Sequence, residues 1–177
     1  MLDKIIYSTS AQKVFYFLLS HPDEKYYDRE VSRLSKVSKA SVNFALRDLI
    51  KTGLIRREKK GRMYFYYAGL SEPLVRQFKI TQNLISVKPL VDKLKNISLK
   101  IVLYGSAAKG QNHKDSDIDL FMLTREPEEV KKLLHKSPLK KKLQYVISNP
   151  QDFVKLKKKN PVFVKEISSG IVLYEEK

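Results

Sequence analysis

Two short apolar stretches, each joined directly to a particular set of polar residues, constrain this chain more than any other feature. The first covers residues 98–104 and continues straight into Gly105-Ser106. The second covers residues 120–123 and directly follows Asp117-Ile118-Asp119. Short apolar runs bounded by turn residues are typical of buried β-strands. The sequence therefore predicts two buried strands with small and acidic residues at their ends.

The first polar set, Gly105-Ser106, predicts a phosphate-binding turn. A strand that turns directly into a helix presents backbone N–H groups together with the serine hydroxyl, and a helix N-terminus attracts phosphate. Gly105 allows the backbone to approach that phosphate closely. The segment is neither a P-loop nor a dinucleotide fingerprint, because Lys109 precedes Gly110 and the paired glycines are missing.

The second polar set, Asp117 and Asp119, predicts a magnesium site. Residues two apart on a strand project from the same face, and Mg²⁺ prefers a few carboxylates together with substrate phosphates. A phosphate cradle beside such an ion is suited to transferring a nucleotidyl group. The alternative interpretation is a structural turn beside a solvated acidic cluster.

Residues 103–120 resemble the minimal nucleotidyltransferases of the DNA-polymerase-beta superfamily, whose pattern is Gly-Ser, three residues, Gly, a short spacer and Asp-x-Asp. The resemblance extends over residues 97–175 and implies a small mixed sheet with flanking helices. It implies that Gly105, Ser106 and Gly110 bind a nucleoside triphosphate such as Mg-ATP. It also implies that Asp117 and Asp119 are the catalytic residues and hold Mg²⁺, with a two-metal site possible.

One position departs from that family pattern. Catalytic members carry a third carboxylate on the next strand, expected here at residues 143–147, and the aligned position holds Gln144. An amide cannot act as a base near neutral pH and binds a hard cation poorly. Two hypotheses follow: an enzyme that transfers NMP to an unknown acceptor, or a domain that binds nucleotide with weak or no turnover. Small relatives are linked with toxin–antitoxin pairs, in which the acceptor is a partner protein.

The N-terminal part predicts three helices and a basic hairpin. Apolar spacing predicts a helix over residues 11–20, a second beginning at Asp28 with Val31 and Leu34 buried, and a third capped by Ser38. Gly53 is suited to a left-handed helix end, and residues 54–57 and 63–68 predict strands around a tip at 58–62. This order, with segments 38–42 and 49–55, resembles the winged helix-turn-helix DNA-binding regulators.

That second resemblance implies that the helix over residues 39–52 enters the major groove while the wing meets the DNA backbone or minor groove. Side chains of these types bond base edges and phosphates. The predicted DNA-binding residues are Lys39, Ser41, Asn43, Arg47, Arg56, Lys59, Lys60 and Arg62. Phe44 either packs against the first helix or touches a thymine methyl, and the core is the favoured place. The alternative is a small helical domain for protein contacts with these side chains merely solvated.

The resulting expectation is an α+β chain with a winged helix-turn-helix domain at residues 1–70, a helical linker at 71–97 and a nucleotidyltransferase domain at 98–177. The linker contains Pro89 and predicts one kinked helix or two short ones. Its apolar face, and the paired half-sites on which winged-helix proteins commonly bind, favour a homodimer. The competing hypothesis to an enzyme is a transcriptional regulator whose C-terminal domain only senses nucleotide.

Charge and composition narrow the partners. The chain has 35 Lys and Arg against 19 Asp and Glu in 177 residues, a net charge of +16. This excess favours a polyanionic partner such as duplex DNA or nucleotide phosphate. The absence of cysteine excludes disulfides and cysteine-based zinc sites. No apolar stretch is long enough to span a membrane, and the first residues lack a secretory pattern, so a cytoplasmic protein is expected.

Overall fold

The computed structural model describes residues 5–176, and the chain divides into two compact units between Gln82 and Asn83. The division falls inside one helix, α4 (Pro73–Leu94), which contains Pro89. The predicted linker region is therefore one continuous helix and not two short ones. No helix among residues 5–176 is long and apolar enough to cross a lipid bilayer.

The first unit begins with three helices, α1 (Ser10–Ser20), α2 (Asp28–Ser35) and α3 (Lys39–Lys51). The Thr9 and Gln12 side chains form a reciprocal capping box at the start of α1. The Ser38 hydroxyl accepts the Ser41 N–H at the start of α3, as the sequence predicts. Helix α2 is preceded by Tyr27 as its N-cap residue, so Asp28 is its first helical residue and not its cap.

A two-stranded antiparallel sheet follows, with β1 (Ile55–Lys60) paired to β2 (Met63–Ala68). Its tip is tighter than predicted, because Glu58, Lys59 and Lys60 all pair across the ladder. Gly61 lies in the turn between β1 and β2 with a φ of 60°, and Gly53 follows the end of α3 with a φ of 73°. Both glycines adopt the left-handed region that L-residues avoid. The core of this unit is formed by helices α1 to α3, β1, β2 and the first turn of α4.

Two predicted core residues of this unit lie at the surface instead. Phe44 is 64% exposed and Leu34 is 45% exposed. The buried stripe of α3 consists of Val42, Ala45, Leu46 and Leu49. Phe44 falls on the opposite side of the helix from that stripe, and its ring contacts the Arg47 guanidinium at 5.5 Å.

The second unit is built on a four-stranded sheet in the order β5-β4-β3-β6. Strand β3 pairs antiparallel with both β4 and β6, and β4 pairs parallel with β5. The strands and helices after α4 are β3 (Lys100–Tyr104), α5 (Gly105–Ala108), β4 (Ile118–Leu123), α6 (Pro127–His135), β5 (Leu143–Ser148), α7 (Pro150–Lys159), α8 (Pro161–Ser168) and β6 (Ile171–Glu175).

Helices cover both faces of this sheet. Alternate strand residues Ile101, Leu103, Leu120 and Met122 pack with the end of α4 and with α6 on one face. Val102, Tyr104 and Phe121 pack with α7 and α8 on the other face. This alternation follows from the two-residue period of a strand. It decides which sheet face each polar residue at the strand ends occupies.

Candidate nucleotide-binding site

The sequence-predicted polar residues meet at one edge of the four-stranded sheet. Strand β3 ends at Tyr104, which pairs with Asp119 near the start of the antiparallel β4. The parallel strand β5 starts at the same edge, and its Gln144 pairs with Asp119. Gly105 follows Tyr104 directly. The turn, the acidic pair and Gln144 are therefore neighbours in space, although Gln144 lies far along the chain.

The closest approach at this edge is between Gly105 and Asp119. A Cβ atom on Gly105 would lie 2.2 Å from Asp119 Oδ2 and 3.0 Å from its Cγ. Gly105 also has a φ of 68°, a conformation that costs an L-residue energy. Glycine is required here twice, for the backbone conformation and for the space that the carboxylate occupies. The Asp119 carboxylate thus lies directly against the predicted phosphate-binding turn.

The helix that starts at Gly105 is a single turn, Gly105–Ala108. Such a short helix has little macrodipole, so the predicted attraction for phosphate depends on the N–H groups of the turn, which have no acceptor within the helix. Ser106 is half-buried in this turn. Gly110, with a φ of 64°, lies just beyond the helix and reverses the chain there. Gly110 therefore shapes the turn from its C-terminal side.

The acidic groups are electrostatically unfavourable to one another. Burial raises the pKa of Asp119, and the negative charges of Asp117 and Glu166 raise it further. Burial, with Asp119 and Glu166, raises the pKa of Tyr104 to about 12. A divalent cation would relieve this repulsion. Glu166, on α8, is a residue that sequence reasoning did not assign to the site.

The donor set suits Mg²⁺ better than an all-protein metal cage. The Asp119 carboxylate lies where a Cβ on Gly105 would be, and the charge of Asp117 acts on it. Mg²⁺ accepts one or two carboxylates completed by water and phosphate. Among residues 5–176, no group of three or more His, Cys, Asp or Glu could hold a metal ion. The remaining coordination positions would have to come from substrate and solvent.

A buried amide pair holds the loop between the turn and Asp117, and the sequence patterns did not identify it. Asn83, on α4, donates from Nδ2 to the Ala107 carbonyl at 2.8 Å and to Asn112 Oδ1 at 2.7 Å. Asn112 Nδ2 is 3.3 Å from Asn83 Oδ1. Both side chains are buried. At the other end of the loop, Lys142 Nζ donates to the Lys114 carbonyl at 3.0 Å. In the sequence, Asn83 is marked only as a single asparagine among the apolar positions of its helix.

The predicted DNA-binding residues of α3 differ in accessibility. Lys39 and Arg47 are exposed, whereas Ser41 and Asn43 are half-buried. The Ser41 hydroxyl accepts a hydrogen bond from the Ser38 hydroxyl at 2.9 Å. Ser41 therefore contributes to the helix cap, while Lys39 and Arg47 extend from the surface of the helix.

The predicted residues of the hairpin also differ. The Arg56 guanidinium is paired with Glu72 at 2.7 Å, and Lys60 is 3.6 Å from Glu58. Lys59 and Arg62 are exposed, the latter at the tip. Sequence reasoning did not include Arg57, whose guanidinium lies 4.6 Å from the centre of the Tyr64 ring. The hairpin is therefore both basic and aromatic.

A match to a family model supports the C-terminal assignment. No curated protein matches the chain. A solved structure from Sulfolobus solfataricus, which is described as an inferred nucleotidyltransferase, is similar to this chain with a TM-score of 0.40 and 12% identity. The similarity covers 61% of this chain and 94% of that chain. The family described as "Polymerase beta, Nucleotidyltransferase" matches residues 86–177, more than half of the chain. The chain therefore belongs to the polymerase beta nucleotidyltransferase family.

Proposed function

We propose that the C-terminal unit transfers a nucleoside monophosphate from a nucleoside triphosphate, with Mg²⁺, to an acceptor hydroxyl. The contact of the Asp119 carboxylate with the Gly105 backbone supports this proposal most strongly, because it brings an acidic metal ligand against the phosphate-binding turn. Asp117 is the second carboxylate of the pair, and its charge acts on Asp119. The membership in a nucleotidyltransferase family supports the same reaction class.

In this proposal each part of the turn has a separate task. The N–H groups that begin with Gly105 and the Ser106 hydroxyl donate hydrogen bonds to the triphosphate, while the buried Asn83 and Asn112 pair keeps the following loop in place. Asp117 and Asp119 would hold Mg²⁺, which when bound would offset phosphate charge and favour in-line attack. The acceptor oxygen bonds to the α-phosphorus, and pyrophosphate leaves.

The direct test is transfer of label from α-³²P-ATP in the presence of Mg²⁺. The acceptor fractions are co-purified partner protein, total RNA, and duplex DNA, since a partner protein and a nucleic acid are the acceptors that the resemblances and the charge favour. We expect Mg²⁺-dependent label in one fraction. Folded protein that labels no fraction and binds no Mg-ATP in calorimetry would contradict the proposal.

The competing proposal is a regulator whose C-terminal unit binds nucleotide without efficient turnover. Gln144 favours it, because this amide stands beside Asp119 where catalytic members carry a carboxylate. The two proposals differ in one outcome. Mg-ATP binding without label transfer to any acceptor would support the regulator and contradict the enzyme.

For the N-terminal unit we propose a winged helix-turn-helix that binds duplex DNA as a homodimer in the cytoplasm. The arrangement of α1 to α3 before the β1–β2 hairpin supports this fold, with residues 1–70 as the domain and 71–97 as its connection to 98–177. Helix α3 then enters the major groove with Lys39 and Arg47, and the hairpin contacts the backbone. The net charge of +16 favours such a polyanionic partner.

Neutralising the hairpin is expected to reduce the salt dependence of duplex binding. Each lysine or arginine that contacts a phosphate contributes about 0.9 to the slope of log K against log [salt], so replacing Lys59, Lys60 and Arg62 with alanine should lower the slope by about 2–3. Fluorescence anisotropy with a labelled duplex at several salt concentrations measures it. The matched control replaces Lys157, Lys158 and Lys159 of α7. Equal slopes for both triple variants would contradict the wing assignment.

A further inference from the structure

The strand position beside Asp119 holds Gln144 and does not supply the proton acceptor that the proposed transfer needs. The attacking hydroxyl must lose its proton as its oxygen bonds to the α-phosphorus. The strand neighbour of Asp119 is Gln144, and an amide does not take up a proton near neutral pH. Another carboxylate on the same face of the sheet could accept this proton. The helices that cover that face are therefore the place to look for it.

Alternation along the strands assigns the site to one sheet face. Phe121 belongs to the core cluster beneath α7 and α8, so Asp119, two residues earlier, projects to the same face. Val146 packs against that cluster as well, and Gln144 lies two residues before it. Tyr104 is also in the cluster. The carboxylate and the amide therefore lie on the face that α7 and α8 cover.

Helix α8 crosses this face at the end of β3. The Phe163 ring meets the Tyr104 ring edge-on with centroids 5.7 Å apart, and Ile167 is buried in the same cluster. A Cβ on Gly170, just past the helix, would lie 2.5 Å from the Leu103 carbonyl oxygen. Both the beginning and the end of the helix are thus packed against the last residues of β3.

Glu166 lies at the margin of the packed side of this helix and is open to solvent. It stands three residues after Phe163 and one before Ile167, positions that share a helix face with Phe163. Its side chain is nevertheless exposed, which keeps it accessible to an incoming acceptor. Its charge acts on both Asp119 and Tyr104, as expected of a carboxylate beside the site.

We propose that Glu166 is the proton acceptor for the attacking hydroxyl, an inference that rests on the proposed transfer reaction. Glu166 would take the place of the carboxylate that catalytic family members carry at the position of Gln144. The acceptor oxygen forms its bond to the α-phosphorus, the bond from that phosphorus to the β-phosphate bridging oxygen breaks, and the hydroxyl proton moves to a Glu166 oxygen. Pyrophosphate leaves. In this proposal Glu166 takes up the proton and is not a metal ligand.

The first test requires no turnover. Calorimetry with Mn²⁺ alone should show weaker binding by Glu166→Gln than by wild type, about twofold to fivefold, because a nearby negative charge is lost in a solvated site. The matched control is Glu126→Gln, an exposed carboxyl before α6 on the opposite sheet face, and it should bind Mn²⁺ as wild type does. Equal Mn²⁺ affinity in all three proteins would place Glu166 away from the site and overturn the proposal.

The second test uses the acceptor fraction that wild type labels from α-³²P-ATP. General-base catalysis contributes about 10²–10⁴-fold, so Glu166→Gln should lose at least about a hundredfold in kcat while its Kd for Mg-ATP changes little more than its Mn²⁺ affinity. Glu166→Asp should retain part of the rate. Adding Gln144→Glu to Glu166→Gln should restore at least about tenfold, because it returns a carboxylate beside Asp119.

These outcomes separate the inference from the function on which it rests. Wild-type transfer with an equally active Glu166→Gln variant would overturn the role of Glu166 and leave the transferase intact. Failure of the wild type to label any acceptor or bind Mg-ATP would reject the transferase and, with it, the role of Glu166.

Discussion

Replacing Asp119 with asparagine is expected to reduce nucleotidyl transfer by at least about a thousandfold. The carboxylate lies against the Gly105 backbone and is the proposed metal ligand closest to the phosphate-binding turn, and preorganised charge stabilisation lost at one group typically costs 10²–10³ in rate. Loss of a metal ligand adds to that cost. Asp115→Asn removes an exposed carboxyl from the preceding loop and serves as the control. Transfer from α-³²P-ATP that survives in Asp119→Asn would contradict the assignment.

The same substitution is expected to change stability in opposite directions with and without Mg²⁺. Because burial, Asp117 and Glu166 raise the pKa of Asp119, ionising it disfavours the folded state. Asp119 therefore contributes most to the stability of the fold at pH values below the pKa of an aspartate in the unfolded chain. This contribution is lost as the pH rises through the raised pKa of Asp119 in the folded protein. At neutral pH in EDTA, Asp119→Asn should raise the Tm. Mg²⁺ at 100 times its Kd would stabilise wild type by about 2.7 kcal/mol, and the variant should lose most of that gain.

Replacing Gly105 with alanine is expected to be the most damaging change that alters no charge. The new methyl group would lie 2.2 Å from Asp119 Oδ2, so the carboxylate must move. A displacement of about 1 Å at a reacting centre can cost about a hundredfold in rate, and the positive φ of 68° adds about 1–2 kcal/mol of backbone strain. Label transfer and thermal unfolding measure the two effects.

A matched glycine separates strain from displacement. Gly53 has a φ of 73° and no atom within 4 Å of a built Cβ, so Gly53→Ala carries the backbone strain alone. It should lose stability and keep its transfer rate. Combining Gly105→Ala with Asp119→Asn should cost little more than Asp119→Asn alone, because both act on one carboxylate. Full activity in Gly105→Ala would show that the contact has no functional consequence.

The N-terminal unit illustrates which local features a sequence predicts well. The Ser38 cap, the left-handed Gly53 and the existence of the hairpin depend on residues within one or two turns of each other, and the structure contains each of them. Phe44 is apolar, but its position in α3 keeps it out of the core. The stripe through Val42, Leu46 and Leu49 leaves no place in the core for it. The prediction that Leu34 is buried is also wrong, since the short helix α2 buries Val31 and leaves Leu34 45% exposed.

In the candidate site, too, the sequence predicts the residues that lie close together along the chain. Strand ends, Gly105-Ser106 and the Asp117/Asp119 pair are visible in the sequence because they lie in one short segment. The pairing of Gln144 with Asp119 matches the alignment made from the family pattern. Asn83 and Glu166 have no such signal, since each lies on a separate helix that packs against the sheet through apolar neighbours.

Local periodicity and turn chemistry thus predict most of the helices and strands and the acidic pair, and the resemblance of residues 103–120 to a known pattern indicates the family. The tertiary structure pairs Gln144 with Asp119 through strand register and packs α8, which carries Glu166, against the end of β3. It also brings Asn83 of α4 to Asn112. The physical reason is range: hydrogen-bonding preferences of turns and caps act between adjacent residues, whereas register and helix packing depend on burying apolar surface contributed by distant parts of the chain.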